Sequence, residues 1–219
     1  MVAWRATGSA AIQFGGTTLA VSEPASSSDG ELMVVWGYAG DATGFALAGW
    51  TVVISPVIVG GVDYDLVIAY RIRSGSANGT FAWTNSSYTH LVMAAFDGGH
   101  ASAPVESVTA GAAAAAAGKV APDVSSTYDN SLLADFAIED SFSTWSPDAA
   151  FTERHDGGAA DGMALFTLQL SASGSTGTHT HTSGGSNGGI VVRMVIVDDV
   201  PTSGEATIKR YSLTLSGVG

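Results

Sequence analysis

The second half of the chain follows the plan of the first about one hundred residues later, and this constrains the fold more than any single residue does. The run Asp29–Trp36 recurs as Tyr128–Phe136, with Leu32 and Leu132 one hundred positions apart. Trp50 is echoed by Trp145, Ser74-Gly75-Ser76 by Ser173-Gly174-Ser175, and Thr80–Thr84 by Thr178–Thr182. The run ending Val92, Ala94, Phe96 is echoed by Val192, Met194, Ile196. Leu32, Val34, Trp36 and Tyr38 alternate onto one strand face, as do Leu132, Ala134, Phe136 and Ile138. Isolated matches arise by chance in a chain rich in Gly, Ala, Ser and Thr. An ordered series whose offsets differ only by loop lengths is what a duplicated unit leaves behind.

Strand-like runs rich in β-branched and aromatic residues, among them Ile12–Val21, Glu31–Ala39, Tyr64–Arg73 and Met163–Ser171, alternate with short Gly, Ser, Asn and Asp clusters. No crossover helices are evident, which excludes a parallel α/β fold. The expected fold is all-β: an antiparallel, jelly-roll-like β-sandwich built from two pseudo-repeated halves. It forms one domain over 1–219, with halves at approximately 12–100 and 119–200, an Ala-rich connector at 111–118 and a C-terminal strand at 206–216. The pattern predicts two packed sheets with Leu32, Val34, Trp36, Leu66, Ile68, Tyr70, Leu132, Phe136, Phe166, Leu168, Val192 and Ile196 in the core.

Composition narrows the function classes. With 46% hydrophobic residues over 219 positions the chain can bury a core, yet no apolar run approaches the ~20 residues of a membrane-spanning helix. Zero cysteines exclude disulfides and thiolate metal sites. The start Met1–Arg5 lacks the apolar stretch of a secretory signal, so release into the cytoplasm is expected. The sequons at Asn78 and Asn85 then read as turn chemistry. A formal charge of −12 repels nucleic-acid phosphates and anionic membranes and suits display at high local density.

Tests for catalytic motifs fail one after another. There is no Gly-x-Ser-x-Gly elbow, no Walker loop, no His-Glu-x-x-His and no dinucleotide fingerprint. The loop Gly184–Gly189 lacks the Lys-Ser/Thr that a phosphate loop requires. Glu139-Asp140 and Asp198-Asp199 are adjacent pairs whose side chains point to opposite strand faces, which does not suit paired-carboxylate chemistry. Asp63-Tyr64-Asp65 offers too few oxygens in one bend for Ca²⁺ and reads as a turn. Trp36, Trp50, Trp83 and Trp145 lie on or beside apolar faces and read as core rather than as sugar platforms. His179 and His181 share a face at i, i+2 and could ligate a metal or act as a pH switch, but no third ligand is evident. They read as solvated or interface histidines. No catalytic residue, cofactor or metal is expected.

The segments Asp29–Val35, Gly49-Trp50-Thr51, Tyr64–Arg71 and Gly79–Thr84, with Asn130–Ala134 and Gly177–Thr182 in the second half, resemble the β-sandwich module of bacteriophage minor tail and other virion-surface proteins. The resemblance covers roughly residues 20–197 and departs from the family's usual proline before Gly-Trp-Thr, where Ala46-Leu47-Ala48 stand. It implies a non-enzymatic structural protein on the virion exterior, made in the host cytoplasm and acting by attachment and display. Tail association is the leading expectation; a capsid decoration protein and a carbohydrate-binding host-adhesion module are the alternatives. Expected partners are other virion proteins, further copies of the chain and a host-surface glycan. Met33 and Val35, read as outward-facing apolar residues, are the candidate contact patch.

Overall fold

The computed structural model describes residues 1–40, 43–54, 64–84, 88–140, 143–158 and 161–198. The predicted C-terminal strand 206–216, Asp63, Asp199 and the second sequon lie outside them. The first half contributes β1 (Ala3–Thr7), β2 (Ala11–Phe14), β3 (Thr18–Val21), β4 (Leu32–Gly40), β5 (Thr43–Ala46), β6 (Thr51–Ile54), β7 (Tyr64–Ile72), β8 (Gly79–Thr84) and β9 (Tyr88–Asp97). The second contributes β10 (Val105–Ala110), β11 (Ala114–Ala115), β12 (Gly118–Ala121), β13 (Ser125–Ser126), β14 (Leu132–Glu139), β15 (Trp145–Ser146), β16 (Thr152–Asp156), β17 (Met163–Gln169), β18 (Gly174–Ser175), β19 (His179–Ser183) and β20 (Gly188–Ile196).

The two halves have one topology. In the first, a large sheet of order β1-β9-β4-β7-β6, with β2 also on β9, faces a small sheet β3-β8-β5; in the second, β10-β20-β14-β17-β16, with β11 on β20, faces β12-β19-β15. All pairings are antiparallel, and neighbours distant in sequence give the jelly-roll-like connectivity. Register repeats as well: Leu32 opposes Phe96 as Leu132 opposes Ile196. Even the irregularities recur, with one bulge between Trp4/Ala6 and Val105/Ser107 and another between Val52/Ile54 and Glu153/His155. A bulge inserted twice at equivalent places is hard to obtain without duplication.

Four layers result, not the two expected from sequence. The large sheets pack face to face around Leu32, Val34, Trp36, Leu66, Ile68, Leu132, Phe136, Leu165, Val192 and Ile196. Each outer face is capped by its own small sheet, giving a second core around Met33, Val35, Phe81 and Met93 and a third around Leu133, Trp145, Phe166 and Val195. The central strands are therefore buried on both faces, which is why they read as continuous apolar runs.

Several expectations are corrected by this layering. Met33 and Val35 are 0% exposed beneath the small sheet, so they form no surface patch. Phe166 and Leu168 point into the third core, while Met163 and Leu165 take the central face; Tyr70 is only partly buried. Ile12–Val21 is two strands in different sheets, divided at Gly15 and Gly16, whose φ values of +73° and +103° make the turn. The Ala-rich segment does not join the halves, because β10 already belongs to the second. Within that segment lies β11, paired with Gly188 and Gly189, and the passage between halves runs through 98–104.

Candidate functional site

Shared register shows where the halves differ, and the differences concentrate beneath the second small sheet. Val35 opposes Met93 in the first half; at the matching places Asp135 opposes Arg193. Phe81 on β8 corresponds to His181 on β19, since Thr18 pairs Ala82 as Gly118 pairs Thr182. By the same pairing Phe45 corresponds to Trp145 and Trp83 to Ser183, which replaces the sequence matches of Trp50 with Trp145 and of Trp83 with His181.

Asp135, Arg193 and His181 are each fully buried. Arg193 forks onto the carboxylate, Nε to Oδ1 at 2.8 Å and Nη2 to Oδ2 at 2.7 Å, the bidentate geometry that makes this pair strong. Its Nη1 donates to the carbonyls of Pro122 (2.9 Å) and Gly177 (2.7 Å) and to Thr176 Oγ1 (3.1 Å). His181 Nε2 lies 2.9 Å from Asp135 Oδ2, and its Nδ1 accepts the Asp148 backbone N–H at 3.1 Å. That pattern assigns the neutral Nε2–H tautomer. Phe166 stacks on the imidazole at 4.3 Å and Phe151 meets it edge-on at 5.0 Å.

A second buried pair lies alongside. Lys119 Nζ sits 3.1 Å from Glu139 Oε1 and also donates to the Ala116 carbonyl; Ser183 Oγ donates to the same Glu139 oxygen at 2.8 Å. Gly189 makes room for the lysine stem, since a Cβ there would come 2.6 Å from Lys119 Cε.

The predicted histidines share a face as expected, but they are neither solvated nor jointly aimed at a vacant point. His179 is partly buried, with Nε2 donating to Thr176 O at 3.1 Å and Nδ1 3.3 Å from Asp148 Oδ1. The Ala150 N–H and then His179 hold the Asp148 carboxyl below its usual range against the opposing effect of burial. No group of three or more His, Asp or Glu side chains able to hold a metal occurs among the described residues. His181 has both ring nitrogens committed, so it has none left to take a proton from a substrate. Glu139 is spent on Lys119, and Asp198 meets the Met1 ammonium. Trp36, Trp50, Trp83 and Trp145 pack in the three cores.

At the seam between the large sheets, His90 stacks on Tyr38 at 4.9 Å and meets Tyr88 at 4.5 Å. Burial pushes its imidazole down to about 4, against the opposing pull of Asp161. Tyr38 donates to the Asp161 carbonyl at 3.3 Å, tying the first half to the second. Compared with known proteins, the sequence matches no family model and no curated protein, and the fold matches no solved structure.

Proposed function

We propose that the chain is a non-enzymatic structural component of a phage virion surface, tail-associated and attached through protein–protein contacts. The observation that carries the attachment is edge strand β2. It pairs only with β9 among the described residues and presents Ile12 at 40% and Phe14 at 78% exposure. Phe14 leans on Tyr88 at 4.8 Å, so the ring is held out as a fixed apolar knob on an otherwise acidic molecule. An apolar edge strand invites pairing with another chain. The charged residues beneath the second small sheet, by contrast, are consumed in packing, which suits a rigid building block.

The resemblance of the sequence to virion-surface sandwiches supports the placement, and tail association is preferred to capsid decoration on that ground. The test is particle incorporation of Phe14→Asp and Ile12→Asp, exposed changes expected to alter stability by about 0.5 kcal/mol or less. Loss of the protein from purified particles, with the isolated variants folded, is the expected result. Normal incorporation of both refutes the edge assignment, and absence of the wild-type chain from particles refutes the virion reading.

A further inference from the structure

The two ends of the central interface are built from equivalent strands but differ in chemistry. Register places Val105 where the first half has Trp4, and Val53 where the second has Arg154. Tyr70 and Ile72 likewise match Thr167 and Gln169. Val53, Tyr70, Ile72 and Val105 all pack against the central core and close one end with hydrocarbon. At the other end Arg154, Thr167 and Gln169, the polar counterparts of Val53, Tyr70 and Ile72, border a groove of about 280 Å³ together with Trp4, Leu132 and Thr152. Replacing Ile and Tyr by Gln and Thr at a core margin gives up apolar burial at those two places.

We propose that this groove binds a carboxylate-bearing sugar, one uronic-acid unit of a glycan. Arg154 is the anchor. Its Nε donates to Thr167 Oγ1 at 2.9 Å and its guanidinium lies 4.9 Å from the Trp4 ring centroid, so the side chain is fixed in place. Arg5, Arg73, Lys119 and Arg193 each face a carboxylate; Arg71 and Arg154 form no ion pair among the described residues, and of these two only Arg154 lines this groove, its two Nη groups carrying no hydrogen bond there. A fixed guanidinium edge with no counter-charge, in a chain of net charge −12, is matched by one planar carboxylate. The high negative charge disfavours a multiply charged phosphate ligand.

The rest of the lining suits a sugar ring. Gln169 Nε2 donates to the carbonyls of Asn130 (2.8 Å) and Ser131 (2.9 Å), which orients the amide and leaves its Oε1 to accept from a hydroxyl. The exposed Thr152 offers a hydroxyl, and the partly buried Trp4 supplies apolar surface at the groove's margin. The site does not depend on the chain's place in a virion, so it can fail or succeed independently of that reading.

The test is ligand-observed NMR titration of the purified full chain with methyl glucuronide, methyl glucoside and inorganic phosphate. Glucuronide should bind, glucoside at least ~10-fold more weakly, and phosphate should not displace glucuronide at equal concentration. Arg154→Met, which keeps the stem over Trp4, should weaken glucuronide binding ~10-fold or more, and Gln169→Leu should weaken it several-fold. Thermal melts of both variants establish that they are folded, and Gln169→Leu, which restores an apolar residue at the margin, serves if Arg154→Met is not. Equal binding of glucoside, displacement by phosphate, no glucuronide binding at all, or unchanged binding in the folded variants overturns the proposal.

Discussion

Converting the polar core of the second half into the apolar core of the first tests what that network does. Asp135→Val alone would leave the buried Arg193 guanidinium facing only carbonyls and a hydroxyl, and Arg193→Met alone would leave the carboxylate with a neutral imidazole. Breaking a buried pair in this way costs about 3–5 kcal/mol. His181→Phe strands the Asp148 N–H and removes one bond from Asp135, a loss of about 1–3 kcal/mol. The triple variant carries Val, Met and Phe, the residues that fill the same three places around Val35, Met93 and Phe81. Exchange of a buried ion pair for packed hydrocarbon is neutral or favourable by ~1–4 kcal/mol. Against this, the Pro122 and Gly177 carbonyls lose their donor and the Asp148 N–H its acceptor, at about 1 kcal/mol or more each. The triple variant should therefore lie within ~3 kcal/mol of wild type, although the single losses sum to roughly 7–13 kcal/mol. Urea unfolding of all four variants at one temperature measures this. A triple variant as unstable as the sum of the singles would show that the three residues act independently, and the equivalence of the two cores would be wrong.

The remaining predictions concern the central interface. Trp36 and Phe136 are fully buried from opposite sheets with ring centroids 5.2 Å apart, so Trp36→Ala or Phe136→Ala should cost ~3–5 kcal/mol in a urea melt; a loss below ~1 kcal/mol contradicts the packing. His90, held near 4 in the fold against about 6.5 in an unfolded chain, binds its proton more readily when unfolded. Its contribution to stability is therefore complete above pH ~6.5 and falls away as pH drops to ~4, by up to ~3 kcal/mol. His90→Phe, which keeps an aromatic ring against Tyr38, should flatten that part of the stability–pH curve, and equal slopes in the two proteins refute the assignment.

Much of the fold was legible in the sequence because duplication and alternation survive in it, as the Leu32/Leu132 and Phe96/Ile196 correspondence shows. What was illegible has physical causes. In Leu32–Gly40 every residue is buried, so alternation could not tell the central face from the outer one, and Met33 and Val35 were assigned to the surface. The same two-sided burial hid the face of Phe166. In Thr178–Thr182 hydroxyls recur every second residue, and an even slip keeps the face while changing the partner, which set His181 against Trp83 instead of Phe81. Ala114 and Ala115 have helix propensity but pair with Gly188 and Gly189, where small residues suffice. The signal that marked the polar core was present: Asp135 and Arg193 interrupt otherwise apolar strands, one hundred positions from Val35 and Met93.

That interruption also bears on how the second half chooses its pairing. A strand apolar on both faces can slip by one residue and still bury hydrocarbon, so hydrophobicity alone specifies its register weakly. In β14 and β20 a slip of either strand would break the Asp135–Arg193 opposition, and a slip that inverts the face would drive a charged side chain into the central core beside Phe136 and Val192. Leaving one buried charge without its partner costs several kcal/mol, more than enough to exclude the slipped pairing. In the first half the corresponding strands carry Val35 and Met93, and Gly37 takes over part of that task. A Cβ at Gly37 would come 1.9 Å from the His90 carbonyl oxygen, so a slip that placed a larger residue there is blocked by backbone. The triple variant described above removes the Asp135–Arg193 opposition and leaves Glu139, paired with Lys119 at the end of β14, as the remaining buried charge of these strands. Its amide spectrum should accordingly show a second set of β14 and β20 resonances from slipped pairing. A single set with wild-type hydrogen-exchange protection would refute the claim that the buried charges select the register.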